Sequence, residues 1–180
     1  PQGKEKMDEV LSLLQKKGLL EESEGALIVD FKRYGVDLPV LMLRKRDGST
    51  LYATREVAVA LDRWRRYRFD LALYVVGMPQ QLHFQQVFKL FELAGFEFAG
   101  RCHHVAFGHY IGMSTRKGTM VLLEEVLENL LRRAKDIVCQ KNPALVEEGR
   151  ADEVAEAVAV AALVFNDLKN QRIKDVVYDE

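Results

Sequence analysis

Apolar and polar positions change period several times along the chain, and each change predicts an element. From Glu5 to Leu20, Met7, Val10, Leu11, Leu13 and Leu14 recur at helical spacings. Lys16, Lys17 and Gly18 then supply the cations and the glycine that end a helix. Two short β-prone runs follow, Ala26 to Phe31 and Val40 to Arg44, and predict an antiparallel pair. Asp47-Gly48 marks a turn. The helical period returns from Arg55 to about Tyr67, with Thr54 as its predicted cap and Glu56 near its positive end. Leu71 to Val76 is a continuous apolar run closed by Gly77, the pattern of a buried parallel strand. Gln80 to Ala94 is helical with Gly95 at its exit, and His103 to Phe107 is a second strand ended by Gly108. Val121 to Gln140 and Asp152 to Asn170 predict two long amphipathic helices.

This alternation predicts an α/β fold containing two right-handed βαβ units. That is half of a doubly wound, Rossmann-like parallel sheet, preceded by a helix and an antiparallel β insertion and followed by helices. Residues 1–50 form the insertion segment, 51–141 the half-sheet with its loop, and 142–180 the start of a helical region. Asn142 to Arg150 is the predicted boundary.

Composition narrows the class. The 180 residues carry a net charge of −1 and are 48% hydrophobic, which suits one globular domain or one and a part. No apolar run is long enough for a bilayer, and no secretory pattern is present, so no membrane partner is expected. The chain opens Pro1-Gln2-Gly3 without an initiator Met, which suggests a piece of a longer protein. Cys102 and Cys139 lack metal-ligand spacing and read as reduced thiols of an intracellular protein. No metal cluster and no Ser/His/Asp or Cys/His nucleophile set can be assembled.

One stretch concentrates chemistry. Gly108 to Gly118 lies past the predicted His103–Phe107 strand, where ligands of open parallel sheets sit. Backbone N–H groups of a glycine-flanked loop attract anions, Arg116 and Lys117 add charge, and Ser114 and Thr115 add donors. The set suits a triphosphate. The same residues would also make a solvated basic turn ahead of a helix, and the chemistry alone leaves both readings open.

Met113-Ser114-Thr115-Arg116 resembles the KMSKS loop of class I aminoacyl-tRNA synthetases, with Gly112 where that motif has its first lysine. The fuller GMSTRKGT (112–119) is similar to the form found in arginyl-tRNA synthetases. LYATREVA (51–58) resembles the same family's LYxTRD segment. Asp62-Arg63, Tyr67, Phe69-Asp70, Tyr74-Val75, Gln80 to Phe84 and His104 to Gly108 also fit, in order. The likeness runs from about Gly18 to Lys174, and the eukaryotic-type members look nearest. A segment resembling the family's other ATP motif, HIGH, is absent.

The resemblance implies part of an enzyme that activates L-arginine with ATP, accompanied by Mg2+, and esterifies it to tRNA(Arg). It implies that Ser114, Thr115, Arg116 and Lys117 neutralise the departing pyrophosphate, with Gly112, Met113, His83 and His109 on the ATP side. Gly112 leaves the first lysine position empty, which the family tolerates. Tyr52, Glu56 and Gln80 would hold the amino acid. Glu56 departs from the family's Asp by one methylene, which raises the question of the pocket's reach. Each residue also has a plainer reading: Tyr52 as a core tyrosine, Glu56 as a complement to the helix dipole, Gln80 as a cap on a Pro-led turn. His103-His104 alternates faces on a strand and reads as core or backbone-bonded histidine rather than a metal pair. The runs Arg63 to Arg68 and Arg132 to Lys135 read as solvated helix surface.

Half a nucleotide fold loses most of the oriented contacts of a complete site, so the isolated piece is expected to be inactive. Two other functions compete. One is a synthetase-derived, non-catalytic module that binds a protein or RNA, for which Glu56 is the best support. The other is a different phosphate-binding α/β domain, against which the ordered motifs speak. The expected location is the cytoplasm, although mitochondrial forms share these motifs.

Overall fold

The computed structural model describes residues 2–111 and 121–177. The chain divides into two compact units, Pro1–Ala106 and Phe107–Glu180. The predicted boundary at Asn142 to Arg150 falls within the second of these.

In the first unit, helix α1 (Gln2–Lys16) buries Val10, Leu11 and Leu14. It ends where its cations and Gly18 predict. Strands β1 (Glu21–Ser23), β2 (Ala26–Val29) and β3 (Leu41–Arg44) form an antiparallel sheet in that order. The sequence predicts β2 and β3 but not β1, whose three polar, largely exposed residues carry no apolar alternation. The Asp47-Gly48 turn forms as expected: Gly48 adopts φ 83°, and Asp47 accepts hydrogen bonds from the backbone and hydroxyl of Ser49.

Helix α2 (Tyr52–Tyr67) begins at Tyr52 rather than at Arg55, with extended Leu51 at its N-cap. Thr54 is therefore not the cap. It is fully buried in the first turn, and its hydroxyl donates to the carbonyl of Leu43 in β3. The Leu51 N–H donates to the same carbonyl at 3.1 Å. Tertiary packing has overridden the capping preference and used the hydroxyl to dock the helix on the sheet.

Strand β4 (Ala72–Gly77) leads through a short 3-10 turn (Met78–Gln80) into helix α3 (Gln81–Leu93), which returns to strand β5 (Cys102–Phe107). Strands β4 and β5 are hydrogen-bonded neighbours, and the connection between them has the length a parallel pair needs. Among the described residues this sheet has two strands, so one β–α–β unit is present where the apolar pattern predicts two. The other predicted strands belong to the separate antiparallel sheet.

The core of this unit is aromatic. Phe91 packs edge-on to Phe98 with ring centroids 5.2 Å apart, and Trp64 likewise against Phe69 at 5.3 Å. Buried Gln86 of α3 donates to the carbonyl of Pro39 at 2.8 Å, which satisfies its amide and ties the loop before β3 to α3. Among the described residues, side chains on the other face of β4 and just before it are exposed. Leu71, Leu73 and Val75 are 54, 56 and 64% exposed.

In the second unit, strand β6 (Tyr110–Ile111) precedes helices α4 (Leu123–Lys141), α5 (Pro143–Glu147) and α6 (Ala151–Leu168). Strand β7 (Val176–Val177) then pairs in parallel with β6. Ala151, Ala155 and Ala159 recur every four residues on one face of α6 and are buried with Ala134 and Val138 of α4. Methyl-sized side chains let the two helices approach closely. The described residues of Gly112 to Met120, including the candidate loop, are none: that stretch lies outside the described residues.

Replacing Thr54 with Val keeps the volume and removes the hydroxyl. The Leu43 carbonyl keeps its Leu51 partner, so the cost is one net hydrogen bond, about 1 kcal/mol. The midpoint of urea unfolding is expected to fall accordingly, and an unchanged midpoint would contradict this account of α2 docking.

Candidate functional site

The amino end of α2, the end of β4 and the first turn of α3 supply the candidate amino-acid site, all within the first unit. Tyr52 is the first residue of α2 and is 76% exposed, so it is not a core tyrosine. Its ring is approached by the Arg55 guanidinium at 5.8 Å, which shows the face to be accessible to a planar cation. Glu56 follows one helical turn later, on the same side of the helix. Because α2 starts at Tyr52, Glu56 stands beyond the first turn, where the helix dipole acts weakly.

Glu56 is half-buried and electrostatically coupled to two groups from neighbouring elements, Tyr74 of β4 and His83 of α3. Among the described residues no Lys or Arg forms an ion pair with it. A partly desolvated carboxylate without a cation is costly unless a ligand supplies one.

Tyr74 is buried, and burial, with Cys102 and Glu56 nearby, pushes its hydroxyl up to about 12 despite the opposing Arg63. The Arg63 guanidinium lies 5.9 Å from the Tyr74 ring. Tyr74 therefore stays a neutral donor. The sequence pattern includes Arg63 and Tyr74 only as family matches, and their adjacency emerges only when α2 is laid on β4.

Gln80 ends the 3-10 turn beyond β4 and occupies the N-cap position of α3, yet its side chain makes no capping hydrogen bond. The amide thus stands exposed past the carboxyl end of a strand, where a ligand is expected. His83 is half-buried, and burial lowers its pKa from 6.5, with Glu56 opposing the shift.

Of the two adjacent histidines on β5, His104 fits the expected backbone-bonded role and His103 does not. His103 is exposed. His104 donates from Nε2 to the Val76 carbonyl at 2.9 Å and packs on Phe84, with centroids 4.8 Å apart. Among the described residues no group of three His, Cys, Asp or Glu side chains gathers to hold a metal. The Arg63–Arg68 run is largely engaged: Arg66 pairs with Asp62, and Arg68 and Arg101 flank Trp64 at 5.0 and 5.2 Å. Lys135 pairs with Asp152.

In the second unit, His109 is exposed just before β6. Gly112, Met113, Ser114, Thr115, Arg116 and Lys117 lie outside the described residues. A groove of about 570 Å³ in this unit is lined by Tyr110, Leu130, Arg133, Leu163, Asn166 and Lys169, among others, and takes in none of Tyr52, Glu56 or Gln80. That concavity takes in no part of the carboxylate that lacks an ion-pair partner among the described residues. No described helix is long and apolar enough to cross a membrane.

Compared with known proteins, residues 2–180 match the family described as tRNA synthetases class I (R), catalytic domain. The chain is 45% identical over 179 residues to the arginine–tRNA ligase of Exiguobacterium sibiricum, covering 97% of this chain and 31% of that protein. It is 47% identical over 173 residues to that of Ligilactobacillus salivarius, covering 94% and 30%. Among solved structures, it is similar to the arginyl-tRNA synthetase of Plasmodium falciparum, with a TM-score of 0.77 and 25% identity over 96% of this chain and 29% of that one. The Thermus thermophilus arginyl-tRNA synthetase shares the fold, with a TM-score of 0.75 and 23% identity over 96% and 35%. The chain thus spans about 30% of the length of the curated relatives it matches. These two curated relatives are bacterial, which does not support the expected nearness to eukaryotic-type members.

His83 binds its proton less tightly in the folded chain than in the unfolded one. Its contribution to stability is complete above the unfolded value of 6.5 and is lost as pH falls from there through the folded value. An NMR titration is expected to place His83 below 6.5, and Glu56→Gln is expected to lower it further. A His83 that titrates at or above 6.5 would contradict this environment.

Proposed function

Because the chain belongs to the family of class I tRNA synthetases for arginine, matched along residues 2–180, we propose that it forms part of the catalytic domain of an arginine–tRNA ligase. The observation that carries the reading is the half-buried Glu56 carboxylate, coupled to His83 and Tyr74 and lacking a cation among the described residues. The guanidinium of L-arginine supplies that cation. Tyr52 offers a ring face and hydroxyl one turn away, and Gln80 an exposed amide at the end of β4. Arg side chains pair with carboxylates in a planar fork, so a carboxylate and a flat ring together select arginine over lysine.

The arginine carboxylate then attacks the α-phosphate of ATP and pyrophosphate leaves in line; the tRNA(Arg) terminal hydroxyl attacks the carbonyl of the arginyl adenylate, forming the ester and releasing AMP. The first step requires orientation and charge neutralisation rather than covalent help. In this reading Ser114, Thr115, Arg116 and Lys117 neutralise the leaving pyrophosphate, and Gly112, Met113, His109 and His83 serve the nucleotide. Mg2+ enters on the phosphates as part of the ATP substrate, consistent with its preference for phosphate oxygens and water. Residues 1–50 serve as the insertion, 51–141 as the second half of the nucleotide fold and 142–180 as the start of the helical region, in a cytoplasmic enzyme.

Two outcomes test this. In the full-length ligase carrying this segment, Tyr52→Ala or Glu56→Gln is expected to raise the KM for arginine about tenfold or more, the scale of one charge-assisted contact. The KM for ATP should stay near wild type; an unchanged arginine KM would remove both residues from the pocket. The 180-residue chain alone is expected to show no arginine-dependent ATP–pyrophosphate exchange. Measurable exchange would mean that these residues suffice for the first step.

A further inference from the structure

Strand β6 is only two residues long, yet it immediately precedes Gly112, the first residue of the GMSTRKG stretch. A strand this short does not hold its own direction. Its order comes from residues 171–177, more than sixty positions later. Tyr110 pairs with Val176 and Ile111 with Val177. The Gly108 N–H donates to the Arg172 carbonyl at 2.8 Å, and the Val176 N–H to the His109 carbonyl at 2.9 Å. Between these backbone bonds sits a side chain: the Asp175 carboxylate accepts from the His109 N–H at 2.7 Å. The Tyr110 hydroxyl donates to Asp167 of α6 at 3.1 Å.

Gly108 shows how closely the two segments approach. A Cβ built there would lie 2.0 Å from the Lys174 carbonyl oxygen and 2.3 Å from its carbon. Because backbone atoms cannot give way as a flexible side chain does, only glycine lets the 171–175 turn lie against the chain. The Asp175 side chain bonds the backbone leading into β6. A carboxylate bonded to a backbone N–H is among the stronger hydrogen bonds.

We propose that Asp175 is a positioning residue for ATP handling. By accepting the His109 N–H it fixes the backbone of Phe107 to Ile111 and so the placement of His109, which the ligase reading sets on the ATP side. This rests on the ligase reading above and adds to it a residue that no motif in the sequence marks. It acts through His109 and touches no substrate itself.

The test uses the full-length ligase carrying this segment, with charging of a tRNA(Arg) transcript measured against ATP and against arginine. Asp175→Ala is expected to raise the KM for ATP about tenfold, as misplacement of about an ångström does, while the KM for arginine holds. Asp175→Asn keeps an acceptor oxygen at the same place and is expected to stay within about twofold of wild type. Asp175→Glu keeps the charge and moves the acceptor by a methylene; it is expected to behave like Asp175→Ala, and it stands in should the alanine variant fold poorly. Ala159→Gly, in the α4–α6 core, serves as a stability control that lowers the melting temperature without moving the ATP KM. An ATP KM unchanged in both Asp175→Ala and Asp175→Glu, or moved equally by Ala159→Gly, overturns the proposal. A wild-type enzyme that charges no tRNA with arginine overturns the ligase reading itself, and this proposal with it.

Discussion

The docking of α2 on β3 decides what the rest of the first unit can present. The Leu43 carbonyl receives two donors, the Leu51 N–H just before the helix and the Thr54 hydroxyl in its first turn. Together they fix both where the helix begins and how it is rotated. From that start Tyr52 faces outward and Glu56 stands one turn in, against β4 and α3. A helix begun at Arg55 would have put Glu56 in the first turn, where the dipole would satisfy it. Begun at Tyr52, it leaves the carboxylate dependent on side chains, and among the described residues it acts on a neutral tyrosine and a histidine whose proton affinity burial lowers.

That corner is built to stay uncompensated. Arg63 is spent on Tyr74, and Arg66 on Asp62. Arg55 points to Tyr52 rather than to Glu56. Five cations lie on α2 and its C-cap, yet none of them pairs with the half-buried carboxylate four residues from its start. Charge complementarity is withheld locally and supplied, in the proposed function, by the substrate.

Much of this was legible in the sequence, and the failures have physical causes. Cations, glycines and apolar spacing located α1, α3, α4 and α6 within a few residues, because those signals are local. Strand β1 escaped because its exposed polar residues pair through backbone alone. The cap at Thr54 was misplaced because a buried carbonyl outcompeted the helix terminus for its hydroxyl. Tyr52, Glu56 and Gln80 could be singled out by motif, whereas their surroundings are visible only in the structure: an exposed ring, a carboxylate past the first turn and an amide at an N-cap position that makes no capping bond. Strand β7 and Asp175 were invisible for a different reason. Their partners lie more than sixty residues upstream, and a two-residue strand has no period.

The bare face of β4 has a consequence for handling the molecule. Leu71, Leu73 and Val75 present a row of branched apolar side chains to water, and a sheet surface of that kind is a surface for self-adhesion. The chain's near-zero net charge gives little long-range repulsion to keep copies apart. Leu73 and Val75 of β4, with Leu71 just before it, thus contribute to the colloidal behaviour of this chain. Sulfate and phosphate, which strengthen apolar association, favour clouding of concentrated solutions, whereas a single charged side chain at position 73 would act as a solubiliser without touching the aromatic core.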